Sequence, residues 1–461
     1  MLSVAGVKGL NENDLNEFRD LVTIFNKHIS GNIDKDRYYE GKISLNEVNL
    51  GIALPDGLRK LEIGCAWGAK CVDVLAARSM FDGFLGIGGE YNATLENIAV
   101  ANDLVFEYMK ATRDELKFGC TFATLTADNN IGCKIRFHSP MTAAAKYDGE
   151  KGRIKCGFAI VDTRPDNDTQ NWEPSLINYY TDDAIFVLER EKSGDMWSAT
   201  RYKHKMGRPL MEAFIWNATS NKPFGRSRIK EPIRRLIQGY VRTIANATIG
   251  LEFATAPQKY ILGVTDEQYD ALINQKFKQY VGSLLAATNN PETGEKPTFG
   301  QLTQGSLAPH VEMLRILATQ FSAATGLTVT DTGVVSEANP TSADAVLAQT
   351  QTLVAMAEQL NAGNGNALRN IALMAIAIVN NKSLNELTPE ERNVIAHFKS
   401  PSMPSIAATT DAAIKIASAR EGFATTDTFL EMIGFSQADI RRIKNEEQRN
   451  RGLQLVESVT E

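Results

Sequence analysis

The sequence lacks the motifs that would assign a chemistry directly. Its 461 residues contain no GxxxxGKS or GxxxxGKT phosphate-binding loop, and its five histidines are scattered without a HExxH or HxH pair. The five cysteines all fall within the first 156 residues, at spacings that fit neither a disulfide framework nor a CxxC zinc site. We therefore exclude a P-loop ATPase and expect no catalytic residues, no metal site and no cofactor.

Long apolar runs and targeting signals are also missing. The longest strongly apolar run, Ile371 to Val379, has nine residues, whereas a membrane-spanning helix needs about 20. The first eleven residues contain no basic segment followed by an apolar stretch, so no secretory signal is predicted. We expect a soluble, intracellular protein without membrane partners, whose cysteines are free thiols in a reducing compartment.

Positive charge is not in excess. Lys and Arg total 49 against 55 Asp and Glu, which gives a net charge of −6. The chain as a whole is therefore not built to attract nucleic acid, and any DNA contact must be local or weak. With 43% hydrophobic and 23% charged residues the composition is ordinary for a globular protein, and the length suggests about three structural units.

The first half of the chain reads as an α+β unit. Apolar residues at helical spacing predict a helix over residues 12–35, capped by Asn11 or Asn13, and a second amphipathic stretch from Cys65 to Met80. A further helix is predicted near Thr94 to Leu116. Short alternating runs broken by Gly, Asn and Asp follow, which is typical of antiparallel strands. The predicted strands are Thr121–Thr126, Ile131–His138, Ile154–Thr163 and Ala184–Glu191.

From Gly225 the pattern becomes helical, and it carries a local basic stripe. An apolar stripe from Ile229 to Leu251 predicts a long helix that begins near Pro232, because proline is tolerated in a first turn. The opposite face carries Lys230, Arg234, Gln238 and Arg242 at i, i+4 spacing, and residues 226–242 hold a charge of +5. In isolation this stripe is either a solvated helix face or a functional basic surface.

The rest of the chain is mostly helical by pattern. A second helix is predicted from Pro309 to Gly326, followed by an irregular segment over 327–340 and a long helix that starts near Thr341. We expect the glycines and asparagines of 363–366 to interrupt that helix, which resumes over Ala367–Asn381. Three short helices are predicted in the last part of the chain: Thr388–Phe398, Asp411–Ser418 and Ser436–Arg449.

One segment resembles a catalytic motif. Glu62 to Gly68 is similar to the acidic, glycine-rich loop that holds S-adenosylmethionine in Rossmann-like methyltransferases, and Glu90 stands where a ribose ligand is expected. Against this, the middle glycine is replaced by Ala66, and no regular β-α-β succession follows. A methyltransferase that uses this loop remains the alternative function, and a generic helical scaffold without DNA is a third class.

Read in order, five segments resemble the portal proteins of long-tailed phages of Gram-positive hosts. The resemblance runs from about residue 37 to 445. Its motifs are Arg37-Tyr38-Tyr39-Glu40-Gly41, the Trp67 to Phe84 helix and turn, Phe224-Gly225-Arg226-Ser227-Arg228-Ile229, the Thr325 to Ala345 stretch with Asn339-Pro340-Thr341-Ser342-Ala343-Asp344-Ala345, and a C-terminal pattern over Asp411–Lys415 and Ile433–Ser436.

The resemblance implies a portal fold of the α+β class with seven parts. Residues 1–225 would form the N-terminal α+β part of the wing, 226–256 the first stem helix, 257–306 a small α/β clip and 307–326 the second stem helix. Residues 327–341 would be the tunnel loop, 342–382 a long wing helix and 383–461 a helical crown. In this interpretation the methyltransferase-like loop is simply the start of an amphipathic helix.

It also implies a non-enzymatic virion protein that forms a twelve-copy ring at one capsid vertex and is present in the host cytoplasm during assembly. The ring would be the channel for non-specific passage of double-stranded DNA in packaging and ejection. Its implied partners are the terminase large subunit, a head-tail adaptor, the major capsid protein and the scaffold. We expect Val334, Val335, Ser336 and Asn339 to line the channel. The basic stripe, Arg226, Lys230, Arg234 and Arg242, would contact either DNA or a neighbouring subunit.

Overall fold

The structure of the chain is a computed structural model that describes residues 2, 4, 6–44, 62–87, 92–165, 172–190, 195–255, 259–262, 294, 298–301, 306–334, 343–402 and 406–460. Helices and strands are mixed, which confirms the predicted α+β class. The helices are α1 (Glu12–Tyr39), α2 (Trp67–Ala76), α3 (Ala93–Ala101), α4 (Leu104–Phe118), α5 (Glu231–Thr255), α6 (Ala308–Thr325), α7 (Ala343–Val379), α8 (Ile406–Ala419), α9 (Asp427–Met432) and α10 (Gln437–Thr460).

The strands pair almost entirely in antiparallel fashion, as their alternating sequences predict. One sheet has the order β1-β11-β10-β9-β8-β7 and another the order β12-β5-β6, while three further pairs are β2 with β3, β4 with β15 and β13 with β14. The strands are β1 (Val7–Lys8), β2 (Lys42–Ser44), β3 (Glu62–Gly64), β4 (Phe81–Leu85), β5 (Cys120–Asp128), β6 (Gly132–His138), β7 (Ala143–Asp148), β8 (Arg153–Pro165), β9 (Trp172–Tyr180), β10 (Ala184–Glu189), β11 (Trp197–Lys203), β12 (Met211–Ile215), β13 (Lys259–Leu262), β14 (Thr298–Gln301) and β15 (Ile395–Phe398).

Helix α1 follows from its cap and its apolar stripe. The Asn11 side chain accepts a hydrogen bond from the Asp14 amide at 2.8 Å, which satisfies one of the free donors at the helix start. Phe18 and Phe25 are buried against the six-stranded sheet, where both contact the ring of Phe158. The stripe predicted over 12–35 is confirmed, and the helix extends four residues further to Tyr39.

The helix predicted near Thr94 to Leu116 is two helices. Asp103 adopts a left-handed backbone with a φ of 48°, which ends α3 and starts α4 in a new direction. Both helices place apolar side chains in the same core, which also contains β5, β6 and the second half of α7. Helix propensity alone could not predict the boundary between α3 and α4, because the sequence has a helical pattern on both sides of it.

The predicted interruption of α7 at residues 363–366 is wrong. The helix is continuous from Ala343 to Val379, although each glycine costs a helix about 1 kcal/mol relative to alanine. Packing offsets that cost. Asn364 is fully buried and donates to the Tyr108 hydroxyl at 3.0 Å and to Glu115 at 2.7 Å. A Cβ at Gly365 would already touch the ring of Phe398 at 3.4 Å, so a small residue suits this close approach.

The helix predicted over Thr388–Phe398 is also wrong. Residues 395–398 form β15, which pairs antiparallel with β4 and brings the C-terminal part of the chain onto the N-terminal part. Phe398 joins an aromatic cluster with Phe81 and Tyr108. A partner strand more than 300 residues away therefore overrides the local helical pattern. The other two late helices are confirmed as α8 and α10, and both are longer than predicted.

Candidate functional site: the paired helices and their junction

Helices α5 and α6 form a pair around a shared apolar seam. Pro232 lies in the first turn of α5, as predicted, and Ile237 and Val241 are buried on the face toward α6. The facing side of α6 buries Leu317 and Phe321. Gly239 sits at the crossing, where a Cβ would lie 3.1 Å from a Leu317 methyl group. Helix α5 lies within residues 226–256 and α6 within residues 307–326, and the assignment of these ranges to a stem stays a prediction.

Trp67, the first residue of α2, packs across this pair. Its ring centroid lies 4.7 Å from that of Tyr240 on α5 and 4.7 Å from that of Phe321 on α6. Its indole nitrogen donates to the Thr332 carbonyl at 3.1 Å. Trp67 therefore fixes both helices and also anchors the start of the segment that follows α6.

Arg228 fastens the segment before α5 to the end of α6. Its guanidinium is buried and donates to the Thr325 carbonyl at 2.7 Å and to the Cys71 carbonyl on α2. The plane also lies over the ring of Trp216, 5.8 Å from its centroid. Burial lowers the pKa of Arg228 from its ordinary value, but arginine stays charged. One side chain thus links three segments that are distant in the sequence.

The turn before Arg228 requires the glycine and serine of the Gly-Arg-Ser motif. Gly225 has a φ of 69°, and a Cβ there would lie 2.1 Å from the Trp216 carbonyl oxygen. The Ser227 hydroxyl donates to the Lys117 carbonyl at the end of α4 and accepts from the Ile229 amide at 2.9 Å. The segment from Gly225 to Arg228 is therefore a compact junction between α4 and α5.

The basic stripe is not a simple solvated face. Arg234 is only 25% exposed and lies over the ring of Tyr38, 5.8 Å from its centroid. Gln238 donates to the hydroxyl of the same tyrosine. Arg226 and Lys230 are exposed, and with Arg234 they line one cavity beside α1. Arg242 is half-buried and does not line that cavity, so the structure groups three of the four predicted residues.

The predicted channel residues are described only in part. Val334 is half-buried and packs against the apolar cluster of α2, α5 and α6. Val335, Ser336 and Asn339 lie outside the described residues. Their approach to a channel stays a prediction.

The methyltransferase-like loop is arranged for packing. Strand β3 pairs antiparallel with β2, whereas the cofactor loop of that fold follows a strand of a parallel sheet. A Cβ at Gly68 would lie 1.9 Å from the Tyr38 carbonyl oxygen, so this glycine brings α2 against α1 and leaves no room for a ligand. The interpretation of Glu62–Gly68 as a cofactor loop is therefore wrong, although Gly88 to Glu90 lie outside the described residues.

The described residues contain no group of three or more potential metal ligands, and no helix among them is both long and apolar enough to cross a bilayer. All five cysteines are free and buried. Burial raises the pKa of Cys71 and of Cys120 to about 12, so these thiols are protonated at neutral pH.

Trp67 and Arg228 make the contacts that join α2, the start of α5 and the end of α6. Neither is among the site residues predicted from the sequence. Both lie inside the family motifs quoted above, and that position was their only signal in the sequence. An arginine beside Gly225 and Ser227 reads as one more charge of the basic stripe. Its burial depends on carbonyl groups 157 and 97 residues away along the chain.

Sequence comparisons with known proteins identify one family. The family model described as phage portal protein, SPP1 Gp6-like, matches residues 21–452. The portal protein of Mycobacterium phage D29 is 23% identical over 92% of this chain and 87% of its own length. That of Mycobacterium phage L5 is 22% identical over 89% and 85%. A chain in the neck of an empty gene transfer agent particle is 13% identical, with a TM-score of 0.47, over 77% of this chain and 86% of that chain.

Proposed function

Because this chain belongs to the SPP1 Gp6-like family of phage portal proteins, we propose that twelve copies of it form a ring at one capsid vertex. DNA passes through the ring during packaging and ejection. The terminase large subunit and the head-tail adaptor dock on it in turn, and the major capsid protein and scaffold surround it. The ring assembles in the host cytoplasm, hydrolyses no nucleotide itself and becomes part of the virion.

Exposed apolar side chains on the paired helices are the observation that supports assembly. On the faces turned away from the α5–α6 seam, Leu251 is 51% exposed, Val311 50% and Ile316 44%. A pair of helices in one subunit leaves these residues in water. Helix pairs arranged side by side around a rotation axis would cover them, because a cyclic interface joins two different faces of identical chains.

The net charge of the chain suits a channel through which DNA slides better than a protein that binds DNA tightly. Twelve copies at −6 each carry −72, which disfavours tight binding of a polyanion. Sliding DNA needs contacts that are weak and independent of sequence. Val334, Val335, Ser336 and Asn339 would supply them from the tunnel loop over residues 327–341.

The test is the solution mass of the purified chain combined with negative-stain imaging. Twelve copies of 50.6 kDa correspond to about 607 kDa, and we expect a ring of that mass with a stain-filled axial channel. An assembly without a channel would favour a helical scaffold instead. Subunits that stay single in the presence of scaffold and DNA would refute the ring.

A pair of matched variants tests the proposed contact surface. Ile316→Asp places a charge on the exposed face of α6 and should prevent ring formation. Val100→Asp makes the same change at a residue of α3 that is 67% exposed and lies off the helix pair, and it should assemble normally. Equal assembly of both variants would contradict the assignment of α6 to the ring interface.

A further inference from the structure

A cavity of about 540 Å³ lies between α1, the end of α4, strand β7 and the segment from Lys222 to Arg234. Its apolar lining includes Ile229 and four aromatic rings, those of Phe25, Phe118, Phe122 and Phe224. Three charged residues of the lining, Lys222, Arg226 and Lys230, are exposed to solvent. The cavity therefore combines a large apolar surface with a rim of charge, which is typical of a site for protein side chains.

All formal charges in the described lining have the same sign. Lys35, Lys222, Arg226, Lys230 and Arg234 line the cavity, and no Asp or Glu stands among the described residues that do. The chain as a whole has a charge of −6. Five cations around one cavity are therefore a strong local exception in an acidic protein.

Within the described part of the chain, Lys35 contacts no carboxylate, and Arg234 has only a long ion pair with Glu231. The Lys35 ammonium donates only to neutral oxygens, Asn32 Oδ1 at 3.0 Å and the Phe118 carbonyl at 3.0 Å. Burial, together with the nearby Arg234, lowers the pKa of Lys35 from its ordinary value. The Nε of Arg234 is buried without a hydrogen-bond acceptor, since the nearest carboxylate oxygen, on Glu231, is 3.8 Å away. Positive charge held in this way is stabilised by an incoming anion.

We propose that this cavity receives an acidic and apolar segment from an adjacent copy of the same chain. The inference rests on the ring proposed above. A cyclic interface is heterologous, so a basic patch on one side of a subunit must meet a different surface of its neighbour. Since residues 226–242 carry +5, the rest of the chain carries −11 and supplies the complementary charge. Three of the four residues of the basic stripe are thereby assigned to subunit contact.

Duplex DNA is the competing anion, and the shape of the site disfavours it. Phosphate contacts are made by exposed cations along a surface that follows the DNA backbone. A duplex is far too wide to enter a cavity of this size, and its phosphates would leave the aromatic lining uncovered. A carboxylate next to an apolar side chain fills both parts of the site.

The first test measures assembly. Lys222→Glu and Lys230→Glu change two exposed rim residues, and Lys8→Glu on β1 makes the same charge change away from the cavity. For the double variant we expect the concentration at half-assembly to rise by at least about tenfold, with Lys8→Glu unchanged. Added salt should weaken assembly of the wild-type chain and have less effect on the double variant.

The second test identifies the occupant without depending on a disruptive change. A photo-crosslinking amino acid at position 222, in rings mixed from isotopically heavy and light subunits, should join heavy to light chains at a peptide that contains Asp or Glu. Crosslinks confined to one chain would overturn the inference. So would a double variant that assembles like the wild type and loses only DNA binding. A wild-type chain that never assembles would refute the ring itself.

Discussion

Glu115 provides the sharpest test of the core between α4 and α7. Its carboxyl is fully buried, and Asn364 donates to one of its oxygens at 2.7 Å. The other oxygen, Oε1, and the Asn364 Oδ1 atom are both buried without a hydrogen-bond donor in the described part of the structure. A proton on Glu115 supplies the missing donor. Burial raises the pKa of Glu115 to about 8.

This raised pKa makes the stability of the core depend on pH. Glutamate has an ordinary pKa of 4.5, so between pH 4.5 and about 8 the folded chain keeps a proton that the unfolded chain has released. Raising the pH over this interval therefore lowers the free energy of unfolding. At about 1.4 kcal/mol per pH unit the loss is on the order of 5 kcal/mol, complete above pH 8.

Glu115→Gln should remove this dependence, because its amide donates a hydrogen bond at every pH. Relative to the wild type, we expect the variant to gain stability as the pH rises from 5 to 8 and to gain nothing further above 8. Amide hydrogen exchange of α4 and α7 peptides, corrected for the pH dependence of intrinsic exchange, reports this local free energy. Glu107→Gln is the matched control, since it makes the same change on the outer side of α4, where Glu107 pairs with Lys110.

A constant difference between the wild type and Glu115→Gln from pH 5 to pH 9 would refute the buried protonated carboxyl. The infrared spectrum gives an independent check. Between pH 6 and 8 the difference spectrum, wild type minus Glu115→Gln, should contain the band of a protonated carboxylic acid, and that difference band should disappear as the pH is taken above 8.

Three further substitutions test the junction. Arg228→Lys leaves buried carbonyl groups without donors and should cost about 3 kcal/mol in thermal unfolding; an unchanged melting temperature would show that the guanidinium geometry is unimportant. Trp67→Phe loses the indole hydrogen bond, about 1 kcal/mol, and should speed hydrogen exchange over residues 327–334, whereas unchanged exchange would contradict the anchor. Gly68→Ala drives a methyl group into the Tyr38 carbonyl and should cost about 3 kcal/mol, while Gly64→Ala, which meets nothing within 4 Å, should be nearly neutral.

The sequence predicts well those helices and strands whose own hydrophobic periodicity is sufficient to identify them. Helices α1, α5 and α6 each bury an apolar stripe within the subunit, and their ends carry local signals such as Asn11 and the left-handed Gly326. The predicted strands over β5, β6, β8 and β10 are also confirmed. In each case the pattern that identifies the element lies within the element itself or within a few residues of its ends.

The predictions that were wrong concern elements whose structure depends on contacts with residues far away in the sequence. The continuity of α7 depends on Asn364 reaching Tyr108 and Glu115, some 250 residues earlier. Strand β15 exists because β4 offers it an edge. The sequence pattern of the basic stripe predicts one continuous surface. In the structure, the position of α1 determines that Arg234 lines the cavity and Arg242 does not. A local sequence pattern cannot predict such contacts, because the residues that form them are far apart in the sequence.

The same contacts explain why the junction is a fixed point for the segment that follows it. Arg228 holds the last turn of α6 against α2, and Trp67, from the start of α2, holds the Thr332 carbonyl six residues beyond Gly326. Moving the end of α6 relative to α2 would break both contacts and leave buried polar groups unpaired, which is costly. We therefore expect any change of conformation in the predicted tunnel loop to begin after Gly333, with α5, α6 and α2 moving as one unit.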